Sequence, residues 1–198
     1  MSLIPEFELG LWNAWILVLS FNLIVNGLGK IFERKHSSKG IRPDRPTYTQ
    51  KDERLTLILM GMVMASFAYS IFLPLKLGTV WFYGGLSCYL LGMIFLTVAE
   101  VNYVRAPEDK LLTNGVYRIS RNPMWFGFFL VLFGIGIACV SWIYLLCAVI
   151  FLILQHILVG AEECWCLEKY GDAYREYMNR TPRWIGIPRS EKKMTHNH

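Results

Sequence analysis

The chain has 198 residues, 54% of them hydrophobic and 18% charged, with a formal net charge of +5 and a mean hydropathy of +0.35. A soluble domain of this size carries about 25% charged residues. Here the deficit lies in long uncharged blocks, which excludes an ordinary water-soluble enzyme, and nothing in the basic balance suggests a nucleic-acid partner.

Residues 1–10 hold Glu6 and Glu8 and no Lys or Arg. A cleavable signal peptide is therefore not expected, and the first apolar stretch is expected to stay as an anchor. That stretch, residues 11–29, is uncharged. Its Asn22 and Asn26, four apart, are expected to hydrogen-bond another helix. A polar, proline-interrupted loop (residues 36–54) leads to a second uncharged stretch over 55–75 and a third over 80–99, closed by Glu100. The block 124–160 is again uncharged and has room for two spans, with Ser141 as the turn beside an interfacial Trp142. A spanning helix needs roughly 20 apolar residues. Without water it must satisfy its backbone internally, so these stretches are helices. The expected fold is an all-α polytopic bundle with five transmembrane helices and a cytoplasmic C-terminal amphipathic helix.

The Lys and Arg residues sort by side under that topology. Segment 30–54 holds eight, segment 101–123 four and the tail 161–198 seven, all on one face; segment 76–79 on the other holds Lys76 alone. The positive-inside rule makes the rich face cytoplasmic. Three of the five cysteines (Cys88, Cys139, Cys147) sit in apolar helices, and Cys164 and Cys166 form a C-x-C too sparse for a metal site. They read as packing cysteines, and no metal is expected.

Two cytoplasmic segments flank the last helix pair. In the first, Asn114-Gly115 marks a turn and Pro123 suits the first turn of a helix. Arg121 and Asn122 then sit at a positive helix end with free N–H donors, suited to an anion. In the second, the fifth helix ends in Glu162-Glu163, two carboxylates at the membrane boundary that must pair with cations or line a wet cavity. The hairpin brings them toward Arg118 and Arg121. Residues 167–180 are expected to form one amphipathic helix, with Leu167, Tyr170, Tyr174, Tyr177 and Met178 on one face and the pairs Asp172/Arg175 and Glu176/Arg180 on the other. Mid-membrane His156 shares a face with Glu163. It reads as a hydrogen-bonded packing histidine beside Gln155, with proton acceptance as its functional alternative.

Together these residues resemble the isoprenylcysteine carboxyl methyltransferase and phospholipid methyltransferase family of integral membrane enzymes. The likeness rests on Gly115, Tyr117, Arg121, Asn122, Pro123, Trp125 and Gly127, then on Glu162, Glu163, Leu167, Tyr170, Gly171, Tyr174 and Tyr177. It covers about residues 108–188, which divides the chain into three N-terminal helices with their loop (1–107), a cofactor-binding region (108–188) and a polar tail (189–198). The resemblance implies S-adenosylmethionine as donor, bound by Tyr117, Arg121, Asn122, Pro123, Trp125, Glu162 and Glu163. Arg180 and Arg183 are expected to act at the acceptor end, where a lid would close, although attraction to anionic membrane lipids explains their charge equally well. Glu162 or Glu163 would take the donor's ammonium, Arg121 or the free N–H groups at the start of the fourth helix its carboxylate, and Tyr117 and Trp125 its adenine or sulfonium.

Two positions depart from the family pattern. Asn122 stands where the family usually has His, which rules out a titrating base there, and Trp125 replaces a Tyr. The expected reaction is methyl transfer to a lipophilic acceptor, either prenylcysteine-like or lipid-like. A nicotinamide-dependent sterol-reductase-like enzyme and a non-enzymatic small membrane carrier or assembly factor stand as alternatives.

Overall fold

The computed structural model describes residues 10–37, 49–106 and 110–187. The tail 189–198, the acidic N-terminus and most of the loop before Thr49 lie outside the described residues. Six α-helices follow one another, α1 (Trp15–Ser37), α2 (Gln50–Tyr69), α3 (Val80–Arg105), α4 (Pro123–Ala138), α5 (Trp142–Tyr170) and α6 (Asp172–Arg180). No strand occurs among the described residues; a single bridge pairs Asn13 with Pro74.

Local chemistry sets the helix ends. α1 starts four residues inside its apolar stretch because residues 12–14 are held against the end of α2. Ala14 N–H donates to the Leu73 carbonyl at 2.9 Å, and Asn13 Nδ2 donates to the Ile71 carbonyl at 2.8 Å. α2 begins before its apolar stretch because Thr49 and Asp52 form a capping box. Ser141 caps α5, its Oγ accepting from Tyr144 N–H at 3.3 Å, so the turn expected there is present. The amphipathic helix expected over 167–180 is two elements. α5 runs on to Tyr170, Gly171 turns the chain at φ +56°, and α6 starts at Asp172. That φ suits a residue without a Cβ. Leu167 and Tyr170 thus belong to the long helix, and α6 keeps Tyr174 and Tyr177 as its buried pair.

α3 and α4 form the tightest contact. A Cβ on Gly134 would lie 2.5 Å from Tyr89 N, and one on Gly92 would lie 2.7 Å from the Gly127 carbonyl oxygen. The small residues Gly134 and Gly136 thus serve close helix packing. Val131, Leu132 and Ile135 fill the centre against Tyr89, Met93, Tyr144 and Phe151. Outward faces are apolar too: Leu57, Ile58, Met60 and Met64 on α2 and Leu146 and Ile153 on α5 are exposed. Such a surface suits lipid and not water. Among the described residues three helices are long and apolar enough to cross a membrane (Gln50–Phe72, Val80–Arg105 and Trp142–Tyr170), and Trp15–Gly27 and Pro123–Ala138 are shorter apolar helices.

One expectation about α1 is corrected. Asn22 Nδ2 donates to the Val18 carbonyl and Asn26 Nδ2 to the Asn22 carbonyl, both at 2.8 Å. Both amides bond the preceding turn of their own helix, four residues back, where a carbonyl is always within reach of a short side chain.

Candidate functional site

The chain folds the two polar segments that flank the last helix pair onto each other at the ends of α4 and α5. Pro123 opens α4, with Asn122 as the residue before it. The Asn122 side chain does not cap the helix; its Nδ2 donates to the Arg183 carbonyl at 3.2 Å. Residues 177–186 lie as a strap across 117–122. Tyr177 OH donates to the Tyr117 carbonyl at 2.6 Å, Arg121 N–H to the Pro182 carbonyl at 3.0 Å, and Gly186 N–H to the Ile119 carbonyl at 3.1 Å. Thr181 Oγ1 adds a longer bond of 3.4 Å to the Arg118 carbonyl. Arg118 thus serves through its backbone, and its side chain is exposed.

Under the strap lies a buried charge cluster. Glu163 is 5% exposed. Its Oε1 is 3.3 Å from Arg121 Nη2 and accepts from Arg183 Nε at 3.1 Å. Its Oε2 pairs with Arg183 Nη2, which completes a two-pronged fork. Arg183 also reaches α5 about two turns back, with Nη1 3.3 Å from His156 Nε2. Trp184 Nε1 donates to His156 Nδ1 at 3.1 Å, and the two rings stack with centroids 6.1 Å apart. His156 is thus hydrogen-bonded, as expected, but not packed inside beside the buried Gln155: it sits on the exposed side of α5, seven residues before Glu163, and receives the strap.

The cluster holds two guanidinium groups and one carboxylate. The Arg121 side chain is 9% exposed, and its Nε and Nη1 are buried without a hydrogen-bond partner. A buried donor left unmade costs about 1–3 kcal/mol, more on a charged group. Among the described residues the cluster is therefore short of one anion beside the free N–H groups of Arg121.

Other expected site residues take different places. Trp125 is half-buried and packs against the hydrophobic core, and Pro123 is buried at the start of α4. Tyr117 lies in the turn of residues 115–118; burial raises its phenol above the usual range, with Tyr177, Tyr103, Glu100 and Glu162 reinforcing the shift. Glu162 is thus near Tyr117, on a different side of the helix end from Glu163. Arg180 is 3.7 Å from Glu176 and Arg175 is 3.2 Å from Asp172, the two pairs read from spacing. The structure brings Arg121, Glu163, Arg183 and His156 together, and Arg180 remains on α6 with Glu176. Sequence spacing placed His156 on the Glu163 face, but nothing in it paired Trp184 with His156. Two surface grooves, of about 470 and 420 Å³, lie away from this cluster. The first is lined by Trp15, Asn22 and Phe67 among others, the second by Asp52, Trp165 and Glu168 among others. Neither sets a carboxylate against a guanidinium, and the chemistry points to the strap-covered cluster instead. No group of metal-ligating side chains occurs among the described residues.

A helical membrane protein with a buried guanidinium–carboxylate cluster beneath a C-terminal strap is the class these features define. A family model for phospholipid methyltransferase matches residues 73–173, just over half of the chain and the whole of α3, α4 and α5. The chain belongs to the phospholipid methyltransferase family, and by family it is a membrane methyltransferase. No individually curated protein matches it.

Proposed function

We propose that the protein transfers a methyl group from S-adenosylmethionine to a lipophilic acceptor, prenylcysteine-like or lipid-like, at the cytoplasmic face of a membrane crossed by α1 to α5. The observation that carries this reading is Arg121, nine-tenths buried, with two N–H groups unpartnered beside a buried carboxylate. A zwitterionic amino acid end fits that pair: a carboxylate for the free N–H groups of Arg121, an ammonium for Glu163. S-adenosylmethionine supplies the methyl group on a sulfonium, ready for direct displacement. The protein's own residues bind, orient and exclude water. The strap covers the cluster, which strengthens each charge interaction beneath it. Asn122 does not titrate, so it moves no proton, and its amide holds the strap by the Arg183 carbonyl. An acceptor with a greasy tail would arrive through the bilayer along the exposed apolar faces.

The test is calorimetry with the spent donor, S-adenosylhomocysteine, on purified protein in detergent. Arg121→Ala is expected to weaken binding roughly tenfold to a hundredfold, the loss of the charged hydrogen-bonding partner of the donor's carboxylate. Unchanged affinity in this variant removes the site. In a thermal-shift screen, spent donor at a hundred times its dissociation constant stabilises by about 2.7 kcal/mol. Nicotinamide cofactors are expected to give no shift; a shift with them alone would favour the reductase alternative.

A further inference from the structure

We infer that Arg183 is an internal stand-in for the donor's ammonium: its guanidinium occupies Glu163 in the ligand-free protein, and it gives up that place when the donor binds. The inference rests on the donor reading above.

The contacts around Glu163 carry it. Both carboxylate oxygens are taken, and Oε2 is paired with Arg183 Nη2. Three of the roughly four acceptor positions of the carboxylate are thus held by guanidinium groups, and an incoming ammonium takes a full share of Glu163 by displacing one of them. The two candidates differ in burial. The Arg121 side chain is 9% exposed and that of Arg183 is 28% exposed. A cation released into a wet surface keeps its hydration, whereas one left buried without its partner is strongly destabilising. Arg183 is therefore the group that leaves.

The exchange conserves charge. Before it, one carboxylate is shared by two guanidinium groups, and Arg121 has two N–H groups unused. After it, the ammonium replaces Arg183 on Glu163 and the donor's carboxylate meets the unused N–H groups of Arg121. Each ligand charge falls where the ligand-free protein is either filled by a like charge or short of an opposite one. That coincidence of a filled cation seat and an unfilled anion seat on one guanidinium–carboxylate pair identifies Arg183 as a placeholder and not as a fixed part of the site.

The strap need not open for this to happen. The backbone around Arg183 is held independently, by Asn122 Nδ2 on the Arg183 carbonyl and by Arg121 N–H on the Pro182 carbonyl. The Arg183 side chain also faces His156, with Nη1 3.3 Å from Nε2. A rotation of the side chain frees Nε and Nη2 while the chain stays in place. Because Trp184 donates to the same ring at Nδ1, the indole is a natural reporter of that movement.

A double cycle isolates the effect. One axis is Arg183→Met, which keeps an unbranched apolar stem and removes the guanidinium, with Arg183→Gln as a second variant should the first fold poorly. The other axis is the ligand: S-adenosylhomocysteine against its analogue lacking the amino group. Displacement makes the amino group of little value in the parent, because its contact with Glu163 replaces one the protein already had. In Arg183→Met the amino group is expected to be worth about tenfold more affinity than in the parent, while the deaminated analogue binds both proteins alike. Fluorine spectra of 5-fluorotryptophan-labelled protein, assigned with Trp184→Phe, are expected to show the Trp184 signal moving with S-adenosylhomocysteine and not with the deaminated analogue. Equal weakening of both ligands by Arg183→Met would mean that Arg183 permanently holds the donor's carboxylate, and would overturn the inference. So would an amino-group contribution that is the same in parent and variant. Failure of the parent and every variant to bind S-adenosylhomocysteine would reject the donor reading itself, and the stand-in with it.

Discussion

Asn122 occupies the position before Pro123 where a side-chain cap would be expected, yet its amide reaches forward to the strap. The first turn of α4 is left with free N–H donors, and Ser120, fully buried, accepts from the Asn122 backbone N–H at 3.1 Å instead. Asn122→Ala should therefore cost about 1 kcal/mol, a typical net hydrogen bond, and the loss should appear in the strap. Hydrogen exchange would show the Gly186 and Arg121 amides exchanging faster while the first turn of α4 keeps its rate. Faster exchange confined to α4 would instead make Asn122 a cap. Gly115 makes a second residue-scale point. Its φ is +63°, and an added Cβ would meet the Asn102 side chain. Gly115→Ala is expected to lower stability by about 1–2 kcal/mol through strain at that backbone angle, read as a drop in the detergent unfolding midpoint.

At the scale of elements, α6 shows how a short polar helix is fixed to an apolar bundle. Two of its tyrosines are buried, and Tyr177 bonds the Tyr117 carbonyl. Burial raises the phenols of Tyr174 and Tyr177, as it does Tyr117. The unfolded value is about 10. The stability these groups contribute is whole below about pH 10. It falls as pH rises from there toward their higher folded values, because the unfolded chain then loses protons that the folded one keeps. The unfolding midpoint should decline above about pH 10, by up to roughly 1.4 kcal/mol per pH unit for each tyrosine, and Tyr174→Phe should flatten that decline. Identical slopes in parent and variant would show that the phenols are not desolvated in the fold. The contact between α3 and α4 makes a separate demand. A methyl on Gly134 would meet the Tyr89 and Gly85 backbones, which cannot turn aside as a side chain can. Gly134→Ala should cost about 1–3 kcal/mol by overpacking.

For the molecule as a whole, the parts legible in the sequence were those written in hydropathy and in short range. The apolar blocks marked α1 to α5, Ser141 marked the hairpin turn, and Arg121 opposed to Glu162 and Glu163 marked the charge cluster without telling which of the two glutamates joins it. Helix ends set by tertiary bonds were not legible, as where Pro74 and Leu73 meet Asn13 and Ala14. Nor was the break at Gly171, because the tyrosine spacing runs across it without interruption. The strap pairing of Trp184 with His156 joins residues 28 apart, and no local pattern encodes such a distance. Orientation depends on a different quantity, the sidedness of charge. With α1 to α5 crossing in alternation, 19 of the 20 Lys and Arg residues fall on the side of the strap and Lys76 alone on the other. An even number of crossings would put the two ends of the bundle together and spoil this division. The short turn containing Gly78 should then be outside and the strap inside. Gly78→Cys and Ile185→Cys, each introduced singly into a cysteine-free background that removes the exposed Cys164, test this in sealed right-side-out vesicles. A membrane-impermeant maleimide is expected to label position 78 from outside, and to reach position 185 only after the vesicles are opened. Labelling of both from the same side would break the alternation of α3, α4 and α5 and remove the five-helix topology, even if donor binding by Arg121 and Glu163 were already established.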